Sequence, residues 1–104
     1  MAMIINDENF DQISKTELPL VIDCGATWCG PCQHLAPIID ELAADYEGKA
    51  VICKADVEES PDLAARYRVR SVPTVLFIKD GVVRDKSVGL VAKETLAEKL
   101  NALL

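Results

Sequence analysis

Short, apolar, β-rich runs alternate with amphipathic helical runs along nearly the whole chain, and the alternation breaks only towards the end, at Asp80-Gly81. That order leaves few folds open. Strands separated by helices are joined by crossovers that lay the helices on the faces of one sheet. Met3 to Ile5 reads as a short first strand. "NDENFDQISK" follows, with Asn6 or Asp7 placed to cap a helix whose apolar side carries Phe10 and Ile13. "LPLVIDCGA" is a continuous apolar strand with one odd residue, Asp23. From Cys29 to about Tyr46, the residues Leu35, Ile38, Ile39, Leu42, Ala43 and Tyr46 recur at helical spacing. Pro31 falls in the first turn of that helix, where a missing N–H is harmless, and Pro37 falls inside it, where it should bend the axis.

"KAVICKADV" reads as a second buried strand, and "SPDLAARY" as a helix capped by Ser60 with Pro61 at its first position. "TVLFIKDGVVRDKSV" is two strands joined by Asp80-Gly81, the strongest short hairpin signal. "KETLAEKLNALL" closes as a helix expected to turn Leu96, Leu100, Leu103 and Leu104 inward. The expectation is an α/β fold in the order βαβαβαββα, built as one domain over residues 1–104. It has a central, mixed, mostly parallel five-stranded sheet with four helices on both faces. Half of the 104 residues are hydrophobic, enough for one sizeable core.

Eleven basic against seventeen acidic residues give a net charge of −6, which argues against nucleic acid or acidic membrane as a partner, since both need clustered Lys and Arg. Proteins are the expected partners. "MAMIINDENF" has no basic segment leading into a long apolar one, and no apolar run is long enough to span a bilayer, so a cytoplasmic protein is expected. In that reducing compartment a close pair of cysteines points to catalysis or metal binding rather than to a structural staple.

Cys29-Gly30-Pro31-Cys32 lies just beyond the carboxyl end of the strand 19–26, where ligands bind in open α/β sheets. Three readings compete: a redox pair, a metal clip, and two small core residues. A helix N-terminus stabilises a thiolate through its free N–H groups, and Cys29 is placed there. One helical turn brings Cys32 back within disulfide reach. Cys29 is then the thiol that attacks a partner's disulfide, and Cys32, the more buried sulfur, the one that resolves the mixed disulfide. Asp23, a carboxylate in an apolar strand, offers a base whose pKa burial should raise, and Lys54 on the neighbouring strand offers the opposite charge. A cis bond before Pro73, in Ser71-Val72-Pro73-Thr74, would present the Val72 backbone to an extended peptide. A structural zinc site needs four ligands, whereas strand alternation puts Cys24 and Cys53 on the far face from Asp23 and Lys54. Those two cysteines are expected to be neighbours, buried and inert. His34, two residues past the motif, points away from Cys32 and towards solvent or a partner.

The chain resembles the thioredoxin family almost end to end. The resemblance rests on Asp23 six residues before Trp28-Cys29-Gly30-Pro31-Cys32, on "APIIDELA" with Pro37, on Lys54, on Val72-Pro73-Thr74, on "KDG" and on Gly89. It implies a protein-disulfide reductase active in cell redox homeostasis, with Cys29 as nucleophile, Cys32 as resolving thiol, and Asp23 with Lys54 as a proton-transfer pair. Trp28, Gly30, Pro31, Val72, Pro73 and Gly89 would line the docking surface. It implies a monomer with no bound cofactor or metal beyond the redox-active disulfide. Electrons would come from a thioredoxin reductase drawing on NADPH or ferredoxin, and clients would be disulfide-containing proteins. Five positions depart from the family pattern: Cys24 and Gly25 stand before Ala26 where an aromatic pair before a small residue is common, Gln33 where a Lys is common, His34 where an apolar residue is common, and Ala92 where a Ser cap is common. An oxidase or isomerase of the same fold, and a redox-silent module, are the alternatives.

Overall fold

In the computed structural model, which describes residues 1–104, the elements follow in the order β1 (Met3–Ile4), α1 (Phe10–Ile13), β2 (Leu20–Gly25), α2 (Gly30–Asp45), β3 (Val51–Asp56), α3 (Pro61–Arg66), β4 (Thr74–Lys79), β5 (Val82–Val88) and α4 (Lys93–Asn101). The five strands form one mixed sheet in the order β1-β3-β2-β4-β5. The pairs β1/β3 and β2/β3 are parallel. The pairs β2/β4 and β4/β5 are antiparallel, so the antiparallel part extends one strand beyond the hairpin.

Alternation along β2 and β3 sorts the core into two layers. Leu20, Ile22, Cys24 and Cys53 face one side and pack with Phe10 of α1 and Leu63 of α3. Val21 and Ile52 face the other and pack with Leu35, Ile39 and Leu42 of α2 and with Leu96 and Leu100 of α4. Asp80 and Gly81 both have positive φ, 53° and 77°, as the tight hairpin turn between β4 and β5 requires.

Three local expectations change. The first α-helix starts later than the cap signal suggested, at Phe10, but Asn6 does cap the turn that leads into it: its Oδ1 accepts the N–H groups of Glu8 and Asn9, each at 3.0 Å, and the Asn6 N–H donates to Asn9 Oδ1 at 2.8 Å. Asp7 reaches instead across to α3, accepting from the N–H groups of Asp62 at 3.0 Å and Leu63 at 2.8 Å. With those donors taken, Ser60 makes no side-chain cap, and its buried hydroxyl has no hydrogen-bond partner. At the C-terminus Leu96 and Leu100 are fully buried, but α4 stops at Asn101 and Leu104 is left exposed. Replacing Asp7 by Ala removes both capping bonds of α3, and a loss of about 1–2 kcal/mol is expected, read from urea unfolding.

The strand directions gather the site. Parallel pairing sets Asp56 of β3 beside Gly25 at the end of β2. Antiparallel pairing sets Thr74, the first residue of β4, beside Cys24, and Val88, the last of β5, beside Thr74. Segment 26–32, the loop before Thr74 and Gly89 therefore meet at one edge of the sheet.

Candidate active site

Cys29 is the N-cap of α2, in extended conformation (φ −95°, ψ 112°), with Pro31 in the first turn. It is disulfide-bonded to Cys32 across a Cα–Cα distance of 5.3 Å. The Cys32 N–H donates to Cys29 Sγ at 3.2 Å, so a free helix-terminal donor is aimed at the sulfur that has to carry charge. On its other side Cys29 Sγ lies 3.8 Å from the Val72 carbonyl oxygen. As whole residues the two cysteines are buried alike, Cys29 6% exposed and Cys32 8%. Both pack in one cluster with Ala26, Val57 and Val72, and Cys32 also lines a pocket of about 310 Å³ together with Asp23, Gly25 and Lys54.

Asp23 is 5% exposed, and its Oδ1 has no hydrogen-bond partner. Burial raises its pKa from 3.8 to about 6, against the opposing pull of the Lys54 charge. Lys54 is the register partner of Asp23, as the strands predict. Its ammonium, however, forms its ion pair with Asp40 of α2, at 3.0 Å. Asp40 Oδ1 also accepts the Ala2 N–H at 3.1 Å. The Ala2 amide first, and Lys54 after it, hold Asp40 below the usual carboxylate range. Lys54 therefore acts on Asp23 through its field rather than by contact.

Around Cys29 the rim is apolar. Trp28 is 69% exposed, and its Nε1–H donates to Glu58 Oε1 at 2.8 Å. Trp28, Val57, Val69, Arg70, Ser71 and Val72 line a cleft of about 330 Å³. The Val72–Pro73 bond is cis, and the Gly89 N–H donates to the Pro73 carbonyl at 2.9 Å. Gly89 has φ +89°, which favours glycine at that position. Gly30 and Pro31 are exposed beside Trp28, and so is His34 farther along α2.

Cys24 and Cys53 are free, buried thiols on one face, as alternation requires. They are not cross-strand partners, because pairing Asp23 with Lys54 sets Cys24 against Ala55 and Cys53 against Ile22, two residues out of step. Burial, with the Asp23 charge second, pushes the Cys24 thiol up to about 12, and burial alone does the same for Cys53. No three His, Cys, Asp or Glu side chains are grouped so as to hold a metal ion. Two site residues had no local signal in the sequence. Asp40 looks like any charge on an amphipathic helix, and Glu58 like any loop acid; only the folded contacts give them partners.

The family model described as Thioredoxin matches residues 1–102. Curated proteins named thioredoxin from Staphylococcus aureus strains Mu50 / ATCC 700699, MW2 and N315 are each 52% identical over 102 residues, covering 97% of this chain and 97% of their own.

Proposed function

This chain belongs to the thioredoxin family and is a thiol–disulfide oxidoreductase whose redox-active pair is Cys29 and Cys32, and we propose that it works as a reductant of disulfides in partner proteins. The observation that carries the direction of attack is the Cys32 N–H on Cys29 Sγ at the cap of α2. In the reduced protein that donor and the helix dipole favour a Cys29 thiolate. The thiolate attacks a client disulfide and displaces one client sulfur. Cys32 gives its proton to Asp23 and attacks Cys29 Sγ, which restores the Cys29–Cys32 disulfide and frees the second client sulfur. Asp23, unpartnered and with its pKa raised to about 6, suits that proton transfer, and Lys54 tunes it through space.

Trp28, Gly30, Pro31, Val72, Pro73 and Gly89 would hold an extended client segment against Cys29. Its backbone would pair beside Val72. A thioredoxin reductase using NADPH or ferredoxin would return the electrons. The protein would act as a monomer in the cytoplasm, in cell redox homeostasis; no helix is long and apolar enough to cross a membrane. The test is equilibration with glutathione or dithiothreitol buffers, counting tagged thiols by intact mass. A strongly reducing potential with a transition of Cys29 and Cys32 alone is expected. A markedly oxidising value would turn the reading towards an oxidase or isomerase, and participation of Cys24 and Cys53 would overturn the assignment of those two as inert.

A further inference from the structure

Lys54 stands between two carboxylates and is bonded to one of them. Strand register puts it beside Asp23, on the same face of the sheet. Its ammonium nevertheless lies 3.0 Å from Asp40 Oδ1 on α2. The choice follows from what it costs each carboxylate to pair. Asp23 is 5% exposed, and a contact pair there would draw the ammonium out of water and onto the apolar sheet face. The Asp40 side chain is 34% exposed, so its charge stays hydrated, and it accepts the Ala2 N–H at 3.1 Å, which anchors the carboxyl group. Nothing on its own helix competes for it, since the positions three and four residues away hold Ala36, Pro37, Ala43 and Ala44. β1 steadies the other partner: the Ile5 N–H donates to the Lys54 carbonyl at 2.9 Å.

The titratable groups that bear on Asp23 are few. From β3 comes Lys54, and Asp56 and Glu59 stand on the wall of the pocket that Asp23 and Cys32 share. From α2 come Cys32 and, by way of Lys54, Asp40. β4 sets Val75 beside Asp23, and Cys24, the next residue of β2, faces the other side of the sheet. Around Asp40 the further charge is the Met1 amine. Lys54 is therefore the one cation near Asp23, and the place where its ammonium rests decides how readily Asp23 takes a proton.

We propose that Asp40 is a positioning residue for the resolving step: it holds the Lys54 ammonium in a contact pair on α2, keeps that charge from closing on Asp23, and so leaves Asp23 a base strong enough to take the Cys32 proton. The proposal rests on the reading of Asp23 as that base, given above. A carboxylate in contact with an ammonium is a weak base, and a buried carboxyl with no cation near holds its proton at the pH where it has to be free. Asp40 sets Lys54 between those limits.

The test reads Asp23 directly, in the oxidised full-length protein, from the 13C resonance of its carboxyl group between about pH 4 and pH 9, assigned by its absence from Asp23→Asn. Asp40→Asn removes the charge and keeps an oxygen for the Ala2 N–H. In that variant the Asp23 midpoint should fall by at least about half a pH unit, as Lys54 turns to Asp23. Release of a labelled client by Cys32 should slow severalfold at pH 8, and Asp40→Glu should restore both. Lys54→Gln should raise the midpoint, and adding Asp40→Asn to it should then move it by less than about 0.2 pH unit, because the intermediary is gone. Should the Lys54 variant fail to fold, Asp40→Asn against Asp40→Glu still decides. An unmoved or raised midpoint in Asp40→Asn, or an equal fall with and without Lys54, overturns the proposal. Reduction of insulin by the unmutated protein, run in parallel, separates the two readings. Its absence would sink the proposed function and the part of Asp40 in it, whereas turnover beside an unmoved midpoint would sink the role of Asp40 alone.

Discussion

Serine in place of Cys29 is expected to bring the reduction of insulin disulfides down to the background rate, a loss on the order of 10³-fold or more, because the attacking thiolate is gone and nothing else at the rim can replace it. Serine in place of Cys32 is expected to abolish turnover just as completely by a different route. Its N–H still points at Cys29 Sγ, since that bond is made by the main chain. First attack therefore survives, and the client stays attached. Intact mass should show a stable one-to-one mixed disulfide with the Cys32→Ser protein and none with the Cys29→Ser protein. Accumulation with Cys29→Ser instead would reverse the two roles for protein clients.

Asp23→Asn should change stability and rate in opposite directions. The native carboxyl holds its proton up to about pH 6, whereas its ordinary value is 3.8. Between those values the folded state binds more protons than the unfolded state, so stability falls as pH rises through that window and levels off above it. Asparagine has no proton to lose. The variant should be more stable than the parent above pH 6, by up to about 3 kcal/mol, with the difference disappearing below pH 4. Resolution by Cys32 should slow by about 10²-fold at neutral pH, since the base is removed, and the rise in rate through pH 6 should vanish with it. Urea unfolding at pH 4 and pH 8, together with single-turnover release of a labelled client, checks both halves. Equal stability of the two proteins at pH 8 would mean that Asp23 is not charged at a cost in the fold.

The residues of the site differ in how far local sequence could place them. Cys29, Cys32 and Pro31 are legible because a strand end, a turn and a helix start are close in the chain, so their geometry is local. Asp23 and Lys54 are legible as register partners, because each breaks an apolar strand and parallel neighbours share a face. The ion pair of Lys54 was not, because Asp40 lies on α2 and meets β3 only when the helix packs down on the sheet. Asp7 shows the same limit. It sits in a good position to cap the helix that follows it, and it caps α3 instead, more than fifty residues away.

Periodicity of apolar residues, a turn made by Asp80 and Gly81, and a helix that has to begin at Cys29 settled the element order, the two core faces and the redox pair, since each depends on interactions a few residues long. The rest depended on how strands were ordered and directed. That β4 runs antiparallel to β2 brings Pro73 to Cys29. That Cys24 and Cys53 are two residues out of step follows from strand register. That Cys32, and not Cys29, lines the empty space beside Gly25 follows from how β2, β3 and α2 pack. Direction, register and empty volume are properties of packed elements, and no single stretch of chain carries them.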